Sequence, residues 1–345
     1  MLNRTLIVPP ANLGRAIPFR TFDFLKNGYD DCLSLRPSRP CKSITNKVFY
    51  VPFNKLLNFN AIEKKVRMIF LDDARADLNR MLDIKDEKTE VLMLHDATRK
   101  DYKIFDQYER NDQQRLKPYL IRLMAEDLRK HSAKLVRFGS LFGSERVTMN
   151  LPESKAMFDL IQETIVFSHP EVIAAAKRVV TLLGNEFVSV QARIGDGYYA
   201  VHERENLLEL RDKLKKVIGR RKSKIKKEPP PLPAIGTRPN LEECKRNARY
   251  YGRWSLVFMA TDSPESPHVR TTFRPIVEEF PCTFTLHDMS QDILKIHSDD
   301  IPSGRLMPMV DALIASYGRF FVFTGGSTYG RYVKRLNRLN ALKDD

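Results

Sequence analysis

Short apolar runs alternate with helical patterns of hydrophobic residues along this chain, which predicts an α/β fold with parallel strands. Leu6–Val8 reads as a strand stopped by Pro9-Pro10, and residues 11–45 as a loop rich in Pro, Arg and Ser with one short helical stretch. Strand-like runs recur at residues 48–51, 68–71, 91–94 and 135–138. Leu120, Leu123, Met124 and Leu128 fall at helical spacing and predict an amphipathic helix over residues 116–129. Two further helices, over residues 153–165 and 170–183, lead through a Gly184-Asn185 turn to residues 187–191, expected to be a buried central strand. Beyond it come a helix at 241–251, a strand at 255–259 and a helix at 269–280. A strand at 284–286, a helix at 308–318, an apolar strand at 319–323 and a helix at 329–342 complete the pattern.

A chain of 345 residues with 42% hydrophobic and 29% charged residues has material for two globular domains. The formal net charge of +15 is unusual, and ten Lys or Arg lie between Arg211 and Glu228, just before the run Pro229-Pro230-Pro231-Leu232-Pro233. Such a block reads first as a solvated stretch and stiff spacer, and second as a dock for an anionic partner. No aromatic residues are interleaved with the charges, which argues against specific nucleic-acid recognition. Cys32, Cys41, Cys244 and Cys282 form no Cys-x-x-Cys pair, and both disulfides, Cys32–Cys41 foremost, and buried thiols remain open. There is no run long enough to span a membrane and no secretory signal. Asp72-Asp73 and Asp299-Asp300 lack a third ligand nearby and read as turn or cap residues rather than metal sites. His95-Asp96, adjacent on a strand, would point to opposite faces and makes a poor base and orienter.

Two stretches carry candidate chemistry. The central strand runs out through Gln191-Ala192-Arg193-Ile194-Gly195-Asp196, at the end where open α/β sheets place ligands. An Arg there offers planar donors matched to phosphate oxygens, although such a strand end also commonly makes a structural salt bridge and turn. The strand at 319–323 leads into Thr324-Gly325-Gly326-Ser327-Thr328-Tyr329, where a glycine turn opens a helix. Glycines permit close backbone approach, and free amides at a helix start suit a phosphate. The plainer reading is an N-cap pair.

With Thr261-Asp262 ending one strand and Asp311 on the helix before the glycine turn, these stretches, in this order, resemble the GDP-fucose protein O-fucosyltransferase family in a fungal-type version. The resemblance implies a GT-B-like α/β fold of two Rossmann-like domains with parallel sheets flanked by helices. Residues 1–175 would form the N-terminal domain on the acceptor side. Residues 176–345 would bind the GDP-sugar and carry the basic Pro-rich insertion at about 211–240. It also implies metal-independent, inverting transfer of fucose from GDP-fucose to Ser/Thr hydroxyls of proteins, with no cofactor beyond the donor. The implied catalytic residue is Arg193, which would bind the diphosphate and stabilise its developing charge. Gln191, Arg193, Asp311, Gly326, Ser327, Thr328 and Tyr329 are the implied GDP-fucose-binding set. Within it Asp311 would accept from guanine N–H groups, and Tyr329 would pack on base or ribose. Asp262 would orient its loop. The implied partners are a nucleotide-sugar donor and a protein acceptor, and the implied compartment is the secretory pathway, in the Golgi.

Two departures from the family pattern stand out. Gln191 occupies the position where the motif has His, and the Gly/Asn turn expected upstream is absent because the chain opens directly on a strand. The expectation is therefore an N-terminally truncated chain, with any membrane anchor lying only upstream of it. The competing expectation is a catalytically inactive GDP-sugar-binding relative whose basic insertion docks an anionic partner.

Overall fold

The structure, a computed structural model, describes residues 3–13, 49–72, 76–96, 100–108, 116, 118–139, 146–184, 186–195, 197–218, 238–251, 256–263, 267, 271–298 and 301–342. Cys32, Cys41, Asp73, Asp196, Asp299, Asp300 and the basic and proline-rich residues 219–237 lie outside these. The chain divides into two compact units, Met1–Ile165 and Val166–Asp345. The sequence-based boundary at 175 falls inside the helix Pro170–Leu183, which belongs whole to the second unit.

The first unit contains β1 (Leu6–Val8), β2 (Ala11–Asn12), β3 (Tyr50–Val51), β4 (Met68–Phe70), β5 (Val91–Leu94), β6 (Tyr102–Phe105), β7 (Ile121–Met124), β8 (Leu135–Phe138) and β9 (Val147–Thr148). β1 pairs with β4, β5 with β8, and β6 with both β7 and β9, all parallel, while β2 and β3 are antiparallel. The helix expected over 116–129 is interrupted: Ile121–Met124 is strand, and the helix Ala125–Lys130 follows it. The four apolar positions fit a helix over so short a span, but register pairing with β6 decides the outcome. Leu123 packs on the cluster of Tyr102, Ile104 and Ala125, while Ile121 stays exposed.

Beneath these strands lies a fully buried ion pair. Arg146 forms an ion pair with the Asp96 carboxylate at 2.9 Å and donates to the Tyr102 carbonyl at 3.2 Å, with its guanidinium 4.8 Å from the Tyr102 ring. Asp96 also accepts from the Asp101 amide. Its carboxylate is thus committed to holding β5 against β6 and β9, not to partnering His95.

The second unit is built on β10 (Val188–Ala192), β11 (Val257–Thr261), β12 (Thr283–Phe284) and β13 (Phe321–Phe323), in the order β12-β11-β10-β13 and all parallel. Helices cover both faces, so every residue of β10 is buried. Val188, Val190 and Ala192 face the helix Glu203–Ile218 through Leu207, Leu210 and Leu214. Ser189 and Gln191 face the other way. The Ser189 hydroxyl donates to the Ala315 carbonyl at the end of the helix Ser303–Ser316, and Gln191 lies under the first turn of the helix Thr328–Ala341. A Cβ on Gly318 would come within 2.0 Å of the Ser189 hydroxyl, so only glycine lets the chain turn there.

Several local readings change. Residues 211–218 of the expected basic insertion are the last two turns of the helix Glu203–Ile218 and bury Leu214. The expected helix over 269–280 is a 3-10 turn, Thr271–Phe273, followed by one helical turn, Arg274–Val277. Residues 284–286 leave the sheet at Phe284, because Thr285 and Asp288 form a capping box that starts a new turn. The helix bearing Asp311 starts one turn before Pro308. Cys244 and Cys282 form a disulfide that fastens the helix Leu241–Tyr251 beside β12.

On its outer edge β13 offers two carbonyls, and each accepts from a lysine: Phe323 from Lys213 at 3.2 Å and Phe321 from Lys334 at 3.4 Å. Among the described residues, no helix is long and apolar enough to cross a membrane.

Candidate active site

In the second unit the carboxyl ends of β10, β11 and β13 converge. The Arg193 amide donates to the Thr324 hydroxyl at 3.1 Å, and that hydroxyl donates to the Gln191 carbonyl at 3.2 Å. The Thr324 amide reaches the same carbonyl. Thr324 is buried and therefore sets the register between Arg193 and the glycine turn. From the other side, the Asp262 carboxylate accepts from Ile194 at 2.9 Å and from Gly195 at 3.0 Å. Asp262 thus orients the loop, as its position implied.

Arg193 is half-buried, and its guanidinium lies 4.8 Å from the ring centroid of Tyr199 on the short helix Gly197–Val201. Gly326 adopts φ of 76°, in the left-handed region that favours glycine. Ser327 is the N-cap of the helix Thr328–Ala341: its hydroxyl accepts from the Gly330 amide at 3.1 Å and is fully buried. Thr328, the first helical residue, is exposed. Gln191 is only 4% exposed, and its side-chain oxygen stands 2.9 Å from where a Gly330 Cβ would lie. That oxygen has no hydrogen-bond partner among the described residues. Gln191 and Ser327 therefore seat the helix on the sheet from beneath, while Arg193, Gly326 and Thr328 reach the surface.

Asp311 is 8% exposed, and burial pushes its carboxyl well above the usual carboxylate range, with the Thr261 amide opposing the shift. Tyr329 is its neighbour: burial, and then the charge of Asp311, push the phenol well above its ordinary value. The Tyr329 hydroxyl donates to the Pro308 carbonyl at 2.9 Å, one turn before Asp311 on the same helix. A cavity of about 350 Å³ opens on the outer edge of β13, lined by Lys213, Phe323, Gly325, Gly326 and Arg331 among others. It shares the glycine turn with this site but does not reach Arg193 or Asp311.

Sequence reasoning did not single out Thr324 or Tyr199. Thr324 directly follows β13 and could have been suspected as a strand-end hydroxyl. Tyr199 gave only its nearness to Arg193 in sequence.

The second unit is an open, parallel α/β sheet with an arginine and a glycine turn at its strand ends, the end at which sheets of this class place ligands. The family model for GDP-fucose protein O-fucosyltransferase matches residues 39–340, and the chain belongs to that family. It is by membership a glycosyltransferase. No curated protein matches the chain in sequence. A crystal structure of POFUT1 in complex with GDP is similar at 11% identity, covering 97% of this chain and 95% of the other, with a TM-score of 0.42. A structure of POFUT1 in complex with GDP-fucose is similar at 11% identity, with the same coverage and a TM-score of 0.41.

Proposed function

We propose that this chain transfers fucose from GDP-fucose to a Ser or Thr hydroxyl of a protein, with inversion at the anomeric carbon and without a metal. The observation that carries the reading is that Arg193, the Gly325-Gly326 turn and Asp311 all lie at the carboxyl end of the parallel sheet. In this reading Arg193 binds the donor diphosphate and meets the charge that develops as the sugar–phosphate bond breaks. The acceptor oxygen forms the new bond to the anomeric carbon from the opposite face as GDP leaves with the bonding electrons, and the acceptor's proton passes to solvent. The glycine turn lets the phosphates approach the backbone, and the free amides of Thr328 and Tyr329 at the start of a long helix favour the negative charge. Asp311 accepts from the guanine edge through its carboxyl oxygens, and Tyr329 packs beside the base. Gln191 and Ser327 hold this surface from below. The family's GT-B arrangement would put the acceptor side on the first unit. A secretory-pathway, Golgi setting agrees with the Cys244–Cys282 disulfide, since such bonds persist in oxidising compartments.

A second reading, an inactive relative that retains GDP, is favoured by Gln191: an amide cannot become cationic where the family motif has His. One experiment separates the two. The melting temperature of the purified chain is followed with GDP, ADP and UDP, since a ligand of the native state raises it. Transfer of labelled fucose to protein acceptors is then measured. Selective stabilisation by GDP with transfer supports the first reading, and stabilisation without transfer supports the second. A folded chain that ignores GDP overturns both.

A further inference from the structure

We infer that Tyr199 is a positioning residue for Arg193, an inference that rests on the donor-site reading above. Its ring lies against the guanidinium, with 4.8 Å between the central carbon and the ring centroid. Its hydroxyl stands 3.1 Å from where a Gly326 Cβ would lie. One side chain therefore touches both loops that would embrace the diphosphate: the end of β10 at one end of the ring, the glycine turn after β13 at the other. The ring is itself braced. Tyr198 meets it edge-on at 5.8 Å, and Tyr198 in turn lies 4.4 Å from the His202 ring.

A guanidinium attracted to a ring through its face keeps its N–H groups in the plane, where a phosphate can take two of them at once. Holding that plane also removes rotamer freedom that Arg193 would otherwise lose on binding. The contact with Gly326 extends the device, because any side chain at 326 would press on the tyrosine hydroxyl as well as strain the turn.

The test uses the full chain and calorimetric affinities for GDP and for guanosine. Tyr199→Leu removes the ring face and should weaken GDP roughly 2- to 30-fold, the range of an arginine–ring attraction. Guanosine affinity should stay constant, because it lacks the phosphates that Arg193 holds. Tyr199→Phe, which keeps the ring face and loses only the hydroxyl at Gly326, should recover most of the GDP affinity. In an Arg193→Ala background Tyr199→Leu should cost nothing further. Should Tyr199→Leu fold poorly, a series of fluorinated phenylalanines at 199 keeps the shape while draining charge from the ring, and GDP affinity should fall with each fluorine. Constant GDP affinity across that series, or equal losses for GDP and guanosine, overturns the inference. If Arg193→Ala itself leaves GDP binding intact, the donor-site reading has failed instead.

Discussion

Gly195 donates its backbone N–H to the Asp262 carboxylate over 3.0 Å, and a Cβ on Gly195 would sit just 3.0 Å from that same carboxylate. The two residues come from the ends of adjacent strands, and their contact lays the β10 loop flat against β11. The pose of Arg193 follows from it. With Ile194 also donating to Asp262, the residue after Arg193 is pinned on one side and Thr324 pins Arg193 itself on the other.

Asp262→Ala should therefore leave two amides without their charged acceptor and cost about 2–3 kcal/mol, the scale of hydrogen bonds to a charged group. Urea unfolding measures that loss. Calorimetry on the folded variant should show weaker GDP binding, and unchanged affinity would separate the pose of Arg193 from this loop.

Asp311 gives a pH prediction of definite sign. Its folded-state pKa lies above the ordinary 3.8, so the native state holds the proton more tightly than the unfolded chain does. Its contribution to stability is fully present below that ordinary value and is lost as pH rises through the raised one. Toward neutral pH the buried Asp311 is thus a burden. Asp311→Asn should raise the melting temperature, and the gain over wild type should widen from acid toward neutral pH. The same variant should lose preference for GDP over ADP. A gain constant at every pH would assign the effect to packing instead of charge.

The Cys244–Cys282 bond closes a stretch of 38 residues. Loop-closure entropy for that length predicts a stabilisation of about 4 kcal/mol. A double Cys244→Ala and Cys282→Ala variant should melt roughly 10 °C lower. A reductant should lower the wild type by at least as much and lower the variant by about 10 °C less than the wild type, which distinguishes the bond from the packing of two small side chains.

In the first unit, Asp96→Ala strands the buried Arg146 charge and should cost about 3–5 kcal/mol. Replacing both partners, Asp96→Leu with Arg146→Met, should recover much of the loss. Denaturation midpoints of the two variants make the comparison.

The second unit was more legible in the sequence than the first, and for a physical reason. The helices Pro170–Leu183 and Leu241–Tyr251 announce themselves by regular apolar spacing, and Gly184, at φ of 78°, closes the former. β10 and β13 are apolar runs bounded by turn residues. In the first unit the strands are two to four residues long, and over such lengths periods of 2 and 3.6 cannot be told apart, as at Leu123 and Met124. The site shows the same division. Arg193 and the Gly325-Gly326 turn follow from position at strand ends. The inward burial of Gln191 depends on which face of β10 it shares with Ser189, and the use of the Ser327 hydroxyl depends on a cap that forms only once the helix exists. Tyr199 meets Arg193 through a helix that folds back, and linear spacing does not carry that.

The two lysines on the outer carbonyls of β13 bear on how the protein behaves at high concentration. A sheet that ends in an unguarded strand invites a neighbour's strand to continue it, and charged side chains laid across that boundary discourage the addition. Here the guards are Lys213 and Lys334, one from a helix on each face. Neutralising both would leave each molecule folded but turn its last strand into a seam, so that the protein's solubility, more than its stability, would depend on two positive charges.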